Sequence, residues 1–248
     1  MTDAPSIVLI HGVGLDHTMW DRVLPVLGDR RVVTYDLLGH GSSAPLPSGS
    51  DLSTLVHQLQ SVCDAEPSPI DIVGFSLGAL IAQGFALSSP ERVRRLILVS
   101  GVFDRSTDER SAILERVADV REGGYLNNVA TAIDRWFTPE FAAAHPDVLA
   151  EVTERMMSND VASYVNAYEI FATADEELAA QVHRITCPTL VVTGEHDPRS
   201  TAAMSQALAT TVANGRAVVL PGARHLTPLE VPEALVRLIT TFVEEPDA

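Results

Sequence analysis

The segment Val73-Gly74-Phe75-Ser76-Leu77-Gly78 sets a serine between two glycines, an arrangement suited to nucleophilic attack. Turning a strand directly into a helix within so few residues forces the middle residue into a sparsely populated backbone conformation. Glycine at 74 and 78 removes the side chains that would collide with the chain passing close by. Ser76 then stands at the N-terminus of the following helix, where unpartnered amides and the positive end of the helix dipole stabilise an oxyanion. A serine hydroxyl is a weak nucleophile at neutral pH, so it needs a base, and the base needs an orienting carboxylate. The histidines after Ser76 are His145, His183, His196 and His225. His145 and His183 fall in a long helical stretch. His225, in Pro221-Gly222-Ala223-Arg224-His225, follows the last strand-like run and is the expected base. Asp197, in Gly194-Glu195-His196-Asp197-Pro198, is the expected acid, with Asp104 and Glu195 as rivals. Two backbone donors are expected for the oxyanion, the amides of Leu77 and of Val13 in His11-Gly12-Val13-Gly14. His11 is read as a brace for that loop, and the turn Asp36 to Ser43, with His40, as structural.

The elements that must position these groups are legible as an alternation. Ser6 to Ile10, Val32 to Tyr35, Ile70 to Val73 and Leu96 to Val99 are short apolar, β-branched runs that read as strands. Between them Trp20, Val23, Leu24 and Leu27 predict a helix, as do Leu52 to Val62 and Leu77 to Leu87. Continuous apolar strands separated by helices imply a parallel sheet covered on both faces. From about Phe103 to His183 the sequence is helix-like and rich in Ala and Glu. Alternation then resumes with Thr189 to Thr193, a helix near Thr201 to Thr211, Ala217 to Leu220 and a last helix from about Pro232. The expected architecture is one core domain, residues 1–102 and 185–248, interrupted by a helical cap at 103–184.

Composition bounds the function. Net charge is −16 and every basic residue is arginine, which argues against nucleic acid, whose phosphates need a basic patch. No apolar run approaches the length of a membrane span, and the first residues carry no basic leader, so a cytoplasmic location is expected. Cys63 and Cys187 have no metal-ligand spacing around them and read as reduced packing residues. The reading calls for a small-molecule substrate, no metal and no cofactor, and leaves a homodimer open.

On these residues the chain resembles the α/β-hydrolase superfamily over nearly its whole length. Within it, Val120-Arg121-Glu122-Gly123-Gly124 and Arg135-Trp136-Phe137-Thr138-Pro139 resemble the 3-oxoadipate enol-lactonase subgroup; Gly14-Leu15-Asp16 with Trp20 and Pro90-Glu91-Arg92-Val93 recur more widely. The resemblance carries the triad onto Ser76, Asp197 and His225 and implies hydrolysis of a carboxylic ester or lactone, or carbon–carbon cleavage of dienoic acids. The first strand-like run lies almost at the start of the sequence, so the antiparallel N-terminal hairpin usual in this superfamily is expected to be absent, with about six parallel strands remaining. A serine at the nucleophile position argues against the dehalogenases and epoxide hydrolases of the same fold, which use aspartate. A non-catalytic ligand receptor on this fold is the contrasting class. A lactone carrying a carboxylate needs a cation in the cap, for which Arg135 is the candidate; Trp136, Tyr125, Tyr164 and Phe171 are candidates for the pocket wall. Leu38 and the segment Tyr164 to Leu178 depart from the subgroup's pattern.

Overall fold

A computed structural model describes residues 4–246. Six strands form its sheet: β1 (Ile7–Ile10), β2 (Val32–Thr34), β3 (Ile70–Phe75), β4 (Val93–Val99), β5 (Thr189–Gly194) and β6 (Gly215–Leu220). They run in the order β2-β1-β3-β4-β5-β6, and every pairing is parallel. The central strands are buried on both faces, which is why they read as unbroken apolar runs. Ile7 and Leu9 of β1 face one core, together with Val73, Phe75, Ile97 and Val99. Val8 and Ile10 face the other, with Ile72, Leu96 and Leu98. That alternation is the two-residue period of a strand resolved into two layers.

One face is covered by α1 (Leu52–Cys63), α2 (Leu77–Ser88) and, after β5, α8 (Ala202–Thr211). Helix α2 lies deepest, with apolar residues around most of its circumference buried. Between β4 and β5 come α3 (Thr107–Asp119), α4 (Tyr125–Trp136), α5 (Pro139–Ala144), α6 (Pro146–Met157) and α7 (Val161–Ala179). Their starts are written locally: Ser106 and Glu109 form a reciprocal capping box on α3, while Thr138 caps α5 and Asp160 caps α7. Helix α7 packs on α2, and its Tyr164, Tyr168 and Ile170 join the same core as the sheet. The short α9 (Thr227–Glu230) leads into α10 (Pro232–Glu244), whose Leu235, Ile239 and Phe242 close the other face.

The apolar spacing after β1 predicts a helix, but the chain makes two short 3₁₀ turns, His17–Trp20 and Leu24–Val26. Pro25 lacks the amide hydrogen that a continuous α-helix needs there, and the apolar side chains reach the core from the tighter turns. Cys63 and Cys187 are both free. Burial pushes their thiols up to about 12 and about 11, so neither is a ready thiolate. No helix among the described residues is long and apolar enough to cross a membrane.

Candidate active site

Because all strands are parallel, the loops that leave β1, β3, β5 and β6 emerge at one edge of the sheet, where α/β folds collect ligands. Ser76 is the one residue between β3 and α2 and has φ 53°, ψ −111°. Such strain costs about 1–3 kcal/mol and persists only where the surroundings enforce it. Here Ser76 N–H donates to the Val99 carbonyl at 2.9 Å and the Ser76 carbonyl accepts from Ala79 N–H at 3.0 Å. The flanking glycines are required by close approach: a Cβ on Gly74 would lie 2.2 Å from the Gly78 oxygen, and one on Gly78 would lie 2.4 Å from the Ile10 oxygen. The Ser76 side chain makes no capping bond to α2, so its hydroxyl is not consumed by the helix it precedes. The amides of Leu77, at the first helical position, and of Val13 have no acceptor among the described residues. The Val13 loop is held beside the serine, since Gly12 packs against Ser76 and Phe75.

His11 braces that loop. Its Nδ1 lies 2.8 Å from the Gly12 oxygen and its Nε2 accepts from Leu37 N–H at 2.9 Å, a pattern that puts the proton on Nδ1. Burial, reinforced by neighbouring His40, lowers its pKa to about 3 and keeps it neutral. Asp36 anchors the next loop by accepting from the backbone and side chains of His17 and Ser42. Burial works against its charge, but these bonds outweigh it and hold the carboxyl well below the usual range.

The second half of the site is assembled from the loops after β5 and β6. Asp197 Oδ2 lies 2.6 Å from His225 Nδ1, and its Oδ1 accepts from the amides of Arg199 and Ser200, both at 2.9 Å. Both side chains are buried, Asp197 at 5% and His225 at 7% exposure. The loops touch backbone to backbone: His196 N–H donates to the Ala223 oxygen at 2.8 Å, and a Cβ on Gly194 would sit 2.1 Å from the Arg224 oxygen. Ser100 Oγ donates to the His225 carbonyl, and the imidazole packs near Phe75 and Trp136, at 5.0 and 6.1 Å between ring centroids. With Nδ1 engaged by the carboxylate, Nε2 is the nitrogen left to accept a proton. The rival carboxylates lie elsewhere: Asp104 is exposed, and Glu195 is exposed and accepts from Gly222 N–H.

Ser76, Asp197 and His225 line one cavity of about 60 Å³, with Val13 on its wall. Of the residues expected around a substrate, Arg135, Trp136, Tyr164 and Phe171 also line it. Tyr125 does not. It is buried one layer behind, where its ring packs edge-on against Tyr164 at 4.9 Å and its hydroxyl donates to the Met156 carbonyl. The wall further includes Tyr168, Arg116 and Arg199, which sequence reasoning overlooked. Tyr168 had a signal, because Tyr164, Tyr168 and Phe171 fall at the i, i+4, i+7 spacing of one helix face. Arg116 and Arg199 had none. Burial lowers the Arg135 guanidinium below its usual range; nearby Tyr168 opposes this, and the charges of Arg116 and Arg199 add to it. Among the described residues, no group of His, Cys, Asp or Glu is arranged to hold a metal ion.

A strained serine at a strand–helix turn, beside a buried carboxylate–imidazole pair at the edge of a parallel sheet, is the arrangement of the α/β hydrolases. The chain belongs to the alpha/beta hydrolase family, whose sequence profile matches residues 7–238. It is 30% identical over 240 residues to 3-oxoadipate enol-lactonase 2 of Acinetobacter baylyi, covering 94% of this chain and 86% of that protein. It is 29% identical over 245 residues to (E)-2-((N-methylformamido)methylene)succinate hydrolase of the same organism, covering 98% and 91%. Among solved structures, the enol-lactonase of Burkholderia xenovorans superposes with a TM-score of 0.91 at 27% identity, covering 98% of this chain and 93% of that one. The resemblance to the enol-lactonase subgroup thus extends over the whole fold.

Proposed function

We propose that the chain is a serine hydrolase that cleaves a carboxylic ester or lactone through an acyl-enzyme on Ser76. The observation that carries this reading is the Asp197–His225 contact of 2.6 Å beside the cavity that Ser76 also lines. In the first step the Ser76 hydroxyl oxygen bonds to the substrate carbonyl carbon while His225 Nε2 takes the hydroxyl proton. The carbonyl oxygen gains the electron pair and is held by the Val13 and Leu77 amides. As the tetrahedral intermediate collapses, the carbon–oxygen bond to the leaving group breaks and His225 gives that oxygen its proton. Water then repeats the sequence: His225 takes one of its protons, the hydroxide oxygen bonds to the acyl carbon, and Ser76 leaves with the proton returned. Asp197 stays ionised throughout, holding the imidazole in its tautomer and facing the imidazolium when it forms.

Trp136, Tyr164 and Phe171 offer an apolar wall for the acyl portion and Arg135 a cation beside it. The activities of the relatives, on an enol-lactone and on a succinate derivative, support a carboxylate-bearing substrate of this kind. The test is a panel of p-nitrophenyl esters and small lactones together with a fluorophosphonate probe. The expected result is stoichiometric labelling of Ser76, and loss of both labelling and turnover in Ser76→Ala. Wild-type turnover in Ser76→Ala would overturn the reading.

A further inference from the structure

We propose that Asn159, in the turn between α6 and α7, is a positioning residue for the oxyanion: it holds in place the loop that carries the Val13 amide. This rests on the hydrolase reading above and deepens it, from which groups stabilise the oxyanion to what keeps one of them in position.

Residues 12–15 make a four-residue turn, closed by Leu15 N–H on the Gly12 carbonyl at 3.3 Å, with Gly14 at φ 77°. A positive φ at the third position is what a type II turn requires. The turn is gripped from two sides. On its inner side Gly12 packs so closely on the elbow that a Cβ there would lie 3.0 Å from the Ser76 Cβ. On its outer side a Cβ on Gly14 would lie 2.9 Å from Tyr164 Cε2 and 3.3 Å from Met156 Cε. The inner contacts come from the sheet edge, the outer ones from α6 and α7.

Asn159 supplies the polar part of the outer grip. Its Nδ2 donates to the Gly14 carbonyl at 3.0 Å, and to the Met156 and Arg155 carbonyls at the end of α6 at 2.9 and 3.2 Å. The two helix carbonyls do not depend on it: Ser158 N–H and Oγ donate to Arg155, while Asn159 N–H and the Tyr125 hydroxyl donate to Met156. The Gly14 carbonyl has no other donor among the described residues. The Asn159 side chain is therefore redundant for ending the helix and necessary to the loop. Beside it, Arg155 Nε lies 2.8 Å from Asp16 Oδ1, an ion pair that ties the loop to the same helix a second time. Asn159 does not line the cavity that Ser76 and Val13 share, so it acts on the reaction only through the turn.

An oxyanion donor is effective only at about 2.7–3.1 Å from where the charge develops. Released on its outer side, the turn can pivot at Gly14, whose backbone is the least restricted in the loop. A shift of about 1 Å in a reacting group costs about 10² in rate. The oxyanion exists in the transition state and not in the bound ester, so the loss falls on kcat rather than KM.

The test measures hydrolysis of p-nitrophenyl butyrate, inhibition by 1,1,1-trifluoro-2-hexanone, whose serine adduct carries an oxyanion, and exchange of the Leu15 amide hydrogen by NMR. The variants are Asn159→Ala, Asn159→Asp, which keeps the shape and loses the donor, and Arg155→Gln, which loosens the loop at Asp16; thermal melting monitors all three. For both Asn159 variants the expected result is a kcat lower by at least about tenfold with KM within about twofold, and a trifluoroketone Ki raised in proportion. Leu15 exchange should be faster in the same variants, and Arg155→Gln should move every reading in the same direction by less. Unchanged Leu15 exchange, or a loss that appears in KM with trifluoroketone inhibition unaltered, overturns the role of Asn159 and leaves the hydrolase reading intact. Faster Leu15 exchange in Asn159→Ala, in a protein that neither hydrolyses the ester nor binds the trifluoroketone, supports the hold on the loop and overturns the hydrolase reading instead.

Discussion

Asp197 divides its two oxygens between tasks: Oδ1 is fixed by the Arg199 and Ser200 amides, which leaves Oδ2 with one orientation, toward His225 Nδ1. An amide at this position offers a donor or a weaker acceptor to the ring and permits the wrong tautomer. Asp197→Asn is therefore expected to lower kcat by about 10⁴-fold with little change in the fold. Steady-state ester hydrolysis measures it, with Asp104→Asn as the comparison. If the loss appears in Asp104→Asn and not in Asp197→Asn, the acid has been misassigned. Both carboxylates follow a strand of the sheet by a few residues, so spacing made Asp197 the expected acid while leaving Asp104 as a rival. The distinction depends on which loop carries its carboxylate to the imidazole: the β5 loop runs against the Ala223 and Arg224 carbonyls and sets Asp197 on His225 Nδ1, whereas the β4 loop touches the His225 carbonyl through Ser100 and leaves Asp104 exposed.

At the scale of elements, the site is a set of loop contacts at the edge of a parallel sheet. β5 pairs with β6 in a register that sets Gly194 opposite Leu220. The two loops then run in contact, His196 N–H donating to Ala223 and Glu195 N–H to Leu220. The helices between β4 and β5 are tied to the same loop: Arg224 Nη1 donates to the Asp134 and Phe137 carbonyls, and Glu230 accepts from Thr138 and from Arg224 N–H. A methyl group at 194 has no room beside the Arg224 carbonyl and must push the loops apart. Gly194→Ala is expected to cut kcat/KM by about 10²-fold, as small displacements of reacting groups do, while the protein still folds. Ester turnover measured beside thermal melting separates the two effects; a loss of activity no larger than the loss of folded protein would count against the argument.

For the whole molecule, the rigid edge has a consequence in acid. His11 and His40 are buried and neutral, their pKa values lowered to about 3 and about 4, by burial above all. Below the unfolded value of about 6.5 the unfolded chain takes up protons that the fold refuses. The stability these groups contribute is complete above pH 6.5 and is lost as pH falls toward 4 and then 3. Each contributes a slope of about 1.4 kcal/mol per pH unit in that window. Asp36, held below the usual carboxylate range, adds further loss once pH drops below the unfolded carboxylate value. Urea unfolding midpoints between pH 7 and 4 should decline, and the decline should flatten by about one proton's worth in His40→Asn. A midpoint independent of pH in this interval would refute the assignment of these histidines as buried and neutral.

By itself the sequence determined the strand–serine–helix turn, the order Ser76, Asp197, His225 along the chain, and the alternation that makes a parallel sheet. These features are governed by backbone sterics and burial over a few residues, so spacing alone carries them. The tertiary structure decided what spacing cannot express. It placed Asp197 and not Asp104 against His225, set Tyr125 behind the cavity and Tyr168 on it, and brought Arg116 from α3 and Arg199 from the β5 loop to one wall. Those outcomes depend on how α3, α4 and α7 seat over α2 and the sheet edge, a packing of distant surfaces in which a side chain's neighbours come from other elements rather than from its own.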